Sequence, residues 1–347
     1  MKILISIEHP AWVHQFRYII TWLRNKGHDV LVLVVDKDGD KKLLDSFGIP
    51  YKLVSNSTGK GVLEKAFLFI WLTIKYSFIG MRYHPDYFIG RSSPMMAVAS
   101  FLCHKKHIIY EDTEGDKFSL TLCKLFSYKI ITSSSFLLDL GKKQDKVNAY
   151  KELFYLHPNY FVPDIEIVRK NGLNPEQDYI ILRFVAWQAV HDFGQKGISD
   201  RMLHHMVEEL SKVVKIYISS EKELPEDLKK YELRSNYEDI HHILAYSKLY
   251  MGESTTMSSE AAVLGIHAIC LNSIVCGSTS EIQDKYGLMY VFSQPDEGRY
   301  EQGLQKALEL LKKKDLTESG KQKQKILLKD KIDINQYFIS MLEKEEK

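Results

Sequence analysis

Residues Asp29–Val35 read DVLVLVV, six apolar residues in succession after one acid. A strand turns alternate side chains to opposite faces, so this one must be covered on both. Strands of that kind belong to parallel sheets, whose neighbours are joined by crossovers of a dozen or more residues. The first half of the chain supplies such crossovers. A strand-like Ile3–Ile7 is followed by helical spacing at Val13, Phe16, Ile20 and Leu23, which stops at Gly27. After Asp29–Val35 come a short helix Lys41–Phe47, a strand Tyr51–Val54 and a long helix over Val62–Arg82. Strand and helix then alternate through Tyr87–Gly90, Pro94–Cys103, His107–Tyr110, Lys117–Phe126 and Lys129–Thr132. The alternation predicts an α/β fold with a doubly wound parallel sheet.

Between Leu156 and Pro175 the pattern fails at Pro158, Pro163 and Pro175, with Asn159, Asn171, Gly172 and Asn174 as turn formers. It restarts as strand Tyr179–Phe184, helix Ser199–Val213, strand Lys215–Ser219 and helix Tyr237–Ser247. Strands His267–Leu271 and Leu288–Phe292 and helix Glu301–Lys313 follow. A chain of 347 residues has room for two domains. The expected division is a first domain over 1–160, a second over 161–320, and a charged helical tail over 321–347. That tail either packs outside or crosses back to the first domain.

A net charge of +2 demands no nucleic-acid partner, and no nucleic-acid-binding motif is present. Cys103, Cys123, Cys270 and Cys276 form no CxxC pair, so neither a disulfide framework nor structural zinc is expected. A reducing cytoplasm fits that usage. The opening MKILISIEHP reads as a first strand rather than a signal peptide. Ala66–Ile74 is nine residues without a charge, well short of the ~20 needed to span a bilayer. It reads either as a buried helix or as an interfacial one. In the second case Phe67, Trp71 and Phe78 enter lipid while Lys65, Lys75 and Arg82 meet head groups. The expectation is a cytoplasmic protein with peripheral membrane contact through 62–82. Pairing with a second copy is left open.

Doubly wound sheets bind ligands beyond the carboxyl ends of their strands, so the loops after strands carry the candidate chemistry. Gly252–Ala268 reads GESTTMSSEAAVLGIHA between two apolar strands. Ser254, Thr255 and Thr256 open a helix there, and a helix start offers amides and a positive dipole end to phosphate. Glu260 shares a face with Thr256 and suits a ribose diol. N-capping plus a solvated Glu explains the same residues equally well. After the first strand comes Glu8-His9-Pro10, with His9 and His14 near a helix start as ligand contacts or caps. After the fourth come Arg91, Ser92 and Ser93, which suit an anion, with Ser93 also an N-cap before Pro94.

After the fifth strand lie Glu111, Asp112, Glu114 and Asp116. Like charges crowded at a buried strand end predict upward titration, which would tune Asp112 or Glu114 as a general acid or base. The alternative is charge that complements the next helix dipole. In the second half Arg183 leads to His191 and Lys196 on a glycine-bearing loop, and Ser219 ends the following strand. Asp36, Asp38 and Asp40 invite a calcium loop, but Lys41 and Phe47 stand where Gly and Glu are required. No metal site is expected. GxGxxG after the first strand, GxxxxGK[ST] and GxSxG are all absent.

GESTTMSSEAAVLGIHA resembles the nucleotide-sugar signature of GT-B enzymes, in which a Ser and a Glu six residues later hold phosphate and ribose; here these are Ser254 and Glu260. It is also similar to the same element of the non-hydrolysing UDP-N-acetylglucosamine 2-epimerases. Over nearly the whole chain, HPAWVH, IGRSSP, YEDTEGD, LHPN, LRFVAWQAVHD, ISSEKELP and GESTTMSSEAAVLG together resemble domain of unknown function 354, a bacterial and archaeal group usually labelled glycosyltransferases. The resemblance implies the GT-B fold: two Rossmann-like doubly wound parallel-sheet domains facing across a cleft. It implies a nucleotide-diphosphate sugar as substrate, with UDP the expected carrier, no cofactor, and a saccharide or lipid-linked acceptor. Cell-surface polysaccharide or glycoconjugate synthesis is the implied setting.

On that scheme Arg183, Ser219, Ser254, Thr255, Thr256 and Glu260 hold the nucleotide, with His191 near the diphosphate. Asp112, Glu114 or His9 deprotonates the acceptor, which His14, Arg91, Ser92 and Ser93 contact. Two rivals stand beside it: a sugar-nucleotide 2-epimerase using Asp112, Glu114 and His191, and a sugar-nucleotide sensor without turnover. The sequence departs from the wider fold group where Glu8-His9-Pro10 replaces a glycine-rich loop, and where Thr255 and Thr256 replace the paired glycines of the epimerases.

Overall fold

The computed structural model describes residues 1–36, 39–56, 61–186, 197–274 and 276–346. They form two compact units, Met1–Tyr155 with Ile332–Lys347, and Leu156–Lys331.

In the first unit strands and helices alternate as β1 (Lys2–Ile7), α1 (Pro10–Asn25), β2 (Asp29–Val35), α2 (Asp40–Ser46), β3 (Lys52–Ser55) and α3 (Val62–Tyr83). The series continues with β4 (Tyr87–Gly90), α4 (Pro94–Leu102), β5 (Lys106–Glu111), α5 (Lys117–Phe126), β6 (Lys129–Ser133) and β7 (Gln144–Val147). All strand pairs are parallel, in the order β3-β2-β1-β4-β5-β6-β7. The chain winds outward one way from β1 and then returns to wind the other way from β4. Leu4, Leu33 and Phe88 meet Leu72, Tyr76 and Ile79 of α3 and Met96 of α4 on one face of the sheet. α1 covers the other face with Val13, Phe16, Ile19, Ile20 and Leu23 buried. This two-sided cover is what the apolar run of β2 requires.

After α6 (Leu153–Leu156) and α7 (Ile165–Lys170), the second unit repeats the plan. Its elements are β8 (Tyr179–Phe184), α8 (Asp200–Ser211), β9 (Lys215–Ser220), α9 (Ile240–Ala245), β10 (Leu249–Gly252), α10 (Thr255–Val263) and β11 (Ala268–Cys270). Then come α11 (Gly277–Glu281), β12 (Met289–Val291), α12 (Gly298–Leu311) and α13 (Leu316–Asp330). Its five strands are parallel in the order β12-β11-β10-β8-β9. The core packs Ile180, Leu182, Met251 and Ile269 of the sheet against Leu203 and Met206 of α8 and Leu304 of α12.

The second unit runs to 331 rather than to the 320 of the sequence reading because α13 is bonded to it. Lys321 Nζ and Gln324 Nε2 donate to the carbonyls of Leu264 and Val263, each at 2.7 Å. The last helix, α14 (Ile334–Glu346), belongs to the first unit, where Asn335 Nδ2 donates to Phe154 O at 2.7 Å. Phe338 meets the Phe154 ring there. Among the described residues no helix is long and apolar enough to cross a membrane.

Candidate functional site

In the second sheet the winding reverses between β8 and β10, the place where a doubly wound sheet opens a crevice at its carboxyl edge. Arg183 and Gly252 are register partners at that edge. A Cβ on Gly252 would lie 2.5 Å from Arg183 O and 2.8 Å from Tyr250 Oη, so only glycine lets the strands end this close. Ser254 caps α10: its Oγ accepts from Met257 N–H at 3.2 Å. Its carbonyl accepts the N–H of Ser258 at 3.0 Å and the Ser258 hydroxyl at 2.8 Å. The Thr255 amide precedes these bonds and lies outside the helix's own ladder. Ser254, Thr255 and Thr256 are all half-buried at the positive end of α10. The capping and the anion-cradle readings of this element are compatible.

Glu260 is not a solvated side chain. It is buried, with Oε1 3.1 Å from His241 Nε2. The structure brings Arg183 and Ser219 together. Arg183 Nη1 donates to Ser219 Oγ at 2.8 Å, while its Nη2 pairs with Glu221 at 2.5 Å. His191 and Lys196 lie outside the described residues.

Glu253, passed over in the sequence, ties this edge together. It is buried at the end of β10, and its carboxylate accepts from Val185 N–H at 2.8 Å, Ile198 N–H at 3.0 Å and the Tyr300 hydroxyl at 2.5 Å. Val185 and Ile198 bracket the stretch that contains His191. One carboxylate thus anchors both ends of that stretch to the strand that leads into α10.

In the first sheet the winding reverses between β1 and β4. Glu8 follows β1 there, half-buried, and the Tyr76 hydroxyl donates to its Oε1 at 3.2 Å. Burial pushes the Glu8 carboxyl up from 4.5 to about 7, partly offset by hydrogen bonds from Ser93 and Tyr76. A carboxyl poised near neutrality at a switch point is suited to take or give a proton. The signal for both missed carboxylates was an acid directly after an apolar strand.

The acidic cluster behaves otherwise than its sequence suggested. Asp112 pairs with Arg91, and its Oδ2 lies 2.6 Å from Lys151 Nζ. Burial alone would push Asp112 up, but Arg91 and Lys151 outweigh it and hold the carboxyl down at about 2. Glu111 is fully buried, pairs with Arg91 at 2.5 Å and accepts from the Ser92 N–H at 3.1 Å and the Ser92 hydroxyl. Its carboxyl too is lowered, because Arg91 and these hydrogen bonds overcome burial. The expected upward titration is therefore reversed at Asp112, which is a fixed anion and a poor base. Glu114 Oε1 accepts from Leu137 N–H at 3.2 Å, and Asp116 caps α5.

The expected acceptor contacts are also engaged internally. Arg91 is buried in these ion pairs, Ser92 serves Glu111, and Ser93 caps α4 by accepting from Met96 N–H at 3.3 Å. His9 caps α1, its Nδ1 accepting from Ala11 N–H at 3.2 Å. His14 is a core residue packed on Phe47 and Tyr155, with ring centroids 5.8 and 5.5 Å away. The helix starts at Pro10, which turns His14 onto the buried face. Asp36 is satisfied by Lys41, and Asp38 lies outside the described residues. Among the described residues no group of three or more His, Cys, Asp or Glu is arranged to hold a metal.

Solved structures share this architecture. The UDP-GlcNAc 2-epimerase from Neisseria meningitidis bound to UDP-GlcNAc superposes with a TM-score of 0.73 at 10% identity, covering 99% of this chain and 100% of that one. S. aureus MnaA in its UDP co-structure gives 0.69 at 15% identity, over 98% and 94%. The spinosyn rhamnosyltransferase SpnG, complexed with spinosyn aglycone, gives 0.63 at 10% identity, over 99% and 100%. The fold is GT-B, with two Rossmann-like units. No curated protein matches the sequence. A family model, Protein of unknown function (DUF354), matches residues 1–317, and the chain belongs to that family.

Proposed function

We propose that the protein is a GT-B glycosyltransferase that uses a nucleotide-diphosphate sugar. The observation that carries this reading is the start of α10 at the β8–β10 reversal, where Ser254, Thr255 and Thr256 gather hydroxyls at a positive helix end. One structure of the same fold holds UDP, another UDP-GlcNAc, and a third is a rhamnosyltransferase. UDP is accordingly the first carrier to test. In this reading the diphosphate meets the α10 start, with Arg183 beside it. Glu260, oriented by His241, accepts from the ribose.

Glu8 is the general base. It removes the acceptor hydroxyl proton as that oxygen bonds to the anomeric carbon and the carbon–diphosphate bond breaks. The departing charge is met by the helix end and Arg183. Asp112, anchored between Arg91 and Lys151, keeps the loop after β5 in place without titrating near neutral pH.

A 2-epimerase reading would rely on Asp112, Glu114 and His191 to move a proton at carbon 2, and the ion-paired state of Asp112 argues against that role for it. The two readings separate in deuterium oxide. With UDP- and GDP-sugars and no acceptor, a transferase incorporates no deuterium at carbon 2. It releases nucleotide when a membrane extract supplies acceptor. Deuterium at carbon 2 without acceptor would overturn the transferase reading.

A further inference from the structure

The outer surface of the first unit is unusual for a water-exposed one. α3 runs for 22 residues and buries Leu72, Tyr76 and Ile79 against the sheet. Its opposite side carries Leu63, Phe67, Ile70, Ile74, Phe78 and Met81, each between 54% and 87% exposed. These positions recur every three or four residues and form one stripe along the helix. The stripe widens sideways. Phe69 meets Phe118 of α5 edge-on at 6.0 Å, and Phe101 of α4 meets Phe126 of α5 at 5.0 Å. Phe101, Phe118 and Leu125 are themselves more than half exposed. Eleven of the twenty exposed large hydrophobics among the described residues sit on α3, α4 and α5, so the exposure is concentrated in one place. Scattered apolar residues are normal on a surface, whereas a patch this continuous marks something that covers it.

Charge says what the cover is. α3, α4 and α5 together carry five basic residues (Lys65, Lys75, Arg82, Lys117 and Lys124) and one acid, Glu64. That is a net +4 on three helices of a chain whose total is +2, so the remainder is net negative. Two copies of such a face repel each other, which disfavours self-pairing. Lys75 lies over the Trp71 ring at 4.4 Å and donates its Nζ to Val54 O at 2.5 Å, whereas Lys65, Arg82, Lys117 and Lys124 are exposed. The net positive charge of the three helices, beside their exposed apolar side chains, matches a lipid surface of negative charge, which contributes about 1 kcal/mol per nearby Lys or Arg.

We propose that the α3–α4–α5 face docks in the plane of an anionic bilayer, with the stripe from Leu63 to Met81 in the acyl boundary and the basic residues at the phosphates. The inference stands apart from the nucleotide-sugar reading, although a lipid-linked acceptor would be delivered at such a surface.

The test is sedimentation of the full chain with vesicles of phosphatidylcholine alone and of phosphatidylcholine mixed with phosphatidylglycerol. The mixed vesicles should bind at least tenfold more tightly, and binding should weaken as salt rises. Phe67→Ser/Ile74→Ser/Phe78→Ser should lose vesicle binding while its thermal unfolding is unchanged, because all three side chains are exposed. Lys65→Glu/Lys117→Glu/Lys124→Glu should lose the preference for phosphatidylglycerol. Equal binding by the wild type and the serine variant would overturn the proposal, as would no binding to either vesicle. A wild-type dimer dispersed by the serine substitutions, without vesicle binding, would assign the face to self-association and overturn it too.

Discussion

Replacing Glu8 by Gln should stabilise the first unit at alkaline pH while abolishing the proposed sugar transfer. The carboxyl of Glu8 is raised from 4.5 to about 7 in the fold, chiefly by burial. A raised carboxyl means that the fold favours the protonated form. The stability this contributes is complete below pH 4.5 and is lost as pH climbs through about 7. The full shift corresponds to roughly 3 kcal/mol at 1.36 kcal/mol per unit, and partial solvent access reduces this to about 1–3 kcal/mol. Glutamine keeps the shape and cannot ionise. Urea unfolding of wild type and Glu8→Gln at pH 5 and pH 8 measures the difference. Three of the four tryptophans, Trp12, Trp22 and Trp71, lie in the first unit, so intrinsic fluorescence reports mainly on that unit. The variant's advantage should grow by about 1–3 kcal/mol from pH 5 to pH 8, and its turnover should fall by about 10²–10⁴. An advantage of the same size at both pH values would refute the reasoning, since Glu8 would then not be carrying an unfavourable charge.

The remaining expectations concern the framework. Asp112→Asn leaves Arg91 and Lys151 short of a buried counter-charge and should cost about 3–5 kcal/mol by chemical unfolding. Because the Asp112 carboxyl is held at about 2, its contribution is present above the usual carboxylate value of 3.8 and is lost as pH falls toward 2; the variant should therefore show a shallower acid-side loss. Glu253→Gln removes acceptor capacity shared by Val185, Ile198 and Tyr300, and should accelerate amide exchange at 185 and 198 before it affects β1–β7. Gly252→Ala places a methyl 2.5 Å from Arg183 O and should lower the melting temperature of the second unit while leaving that of the first in place.

The sheets were legible in the sequence because their strands are apolar on both faces. β8 and α5 appear with the bounds, Tyr179–Phe184 and Lys117–Phe126, that their hydrophobic runs imply. β7 was invisible for the opposite reason: Gln144–Val147 reads QDKV and is an edge strand with a single buried residue. α11 spans five residues and is too short to show a period. At the candidate sites, residue types pointed to the α10 start, where the chemistry is local and one helix turn suffices. They misled at Asp112, whose titration is decided by Arg91 and Lys151, 21 and 39 residues away. In the sequence Glu8 is only the residue between the first strand and His9. Its burial depends on Tyr76, brought from 68 residues away by α3.

The central claim, a nucleotide diphosphate held at the start of α10, is tested most directly by isothermal titration of UDP into wild type and Thr255→Glu. An acid in the first turn favours the helix dipole, so the variant should fold at least as well as the wild type. It also puts a negative charge where the diphosphate is proposed to sit. Wild type should bind UDP and the variant should lose affinity by more than about tenfold with its melting temperature unchanged or raised. Equal affinity in the two proteins would contradict the account.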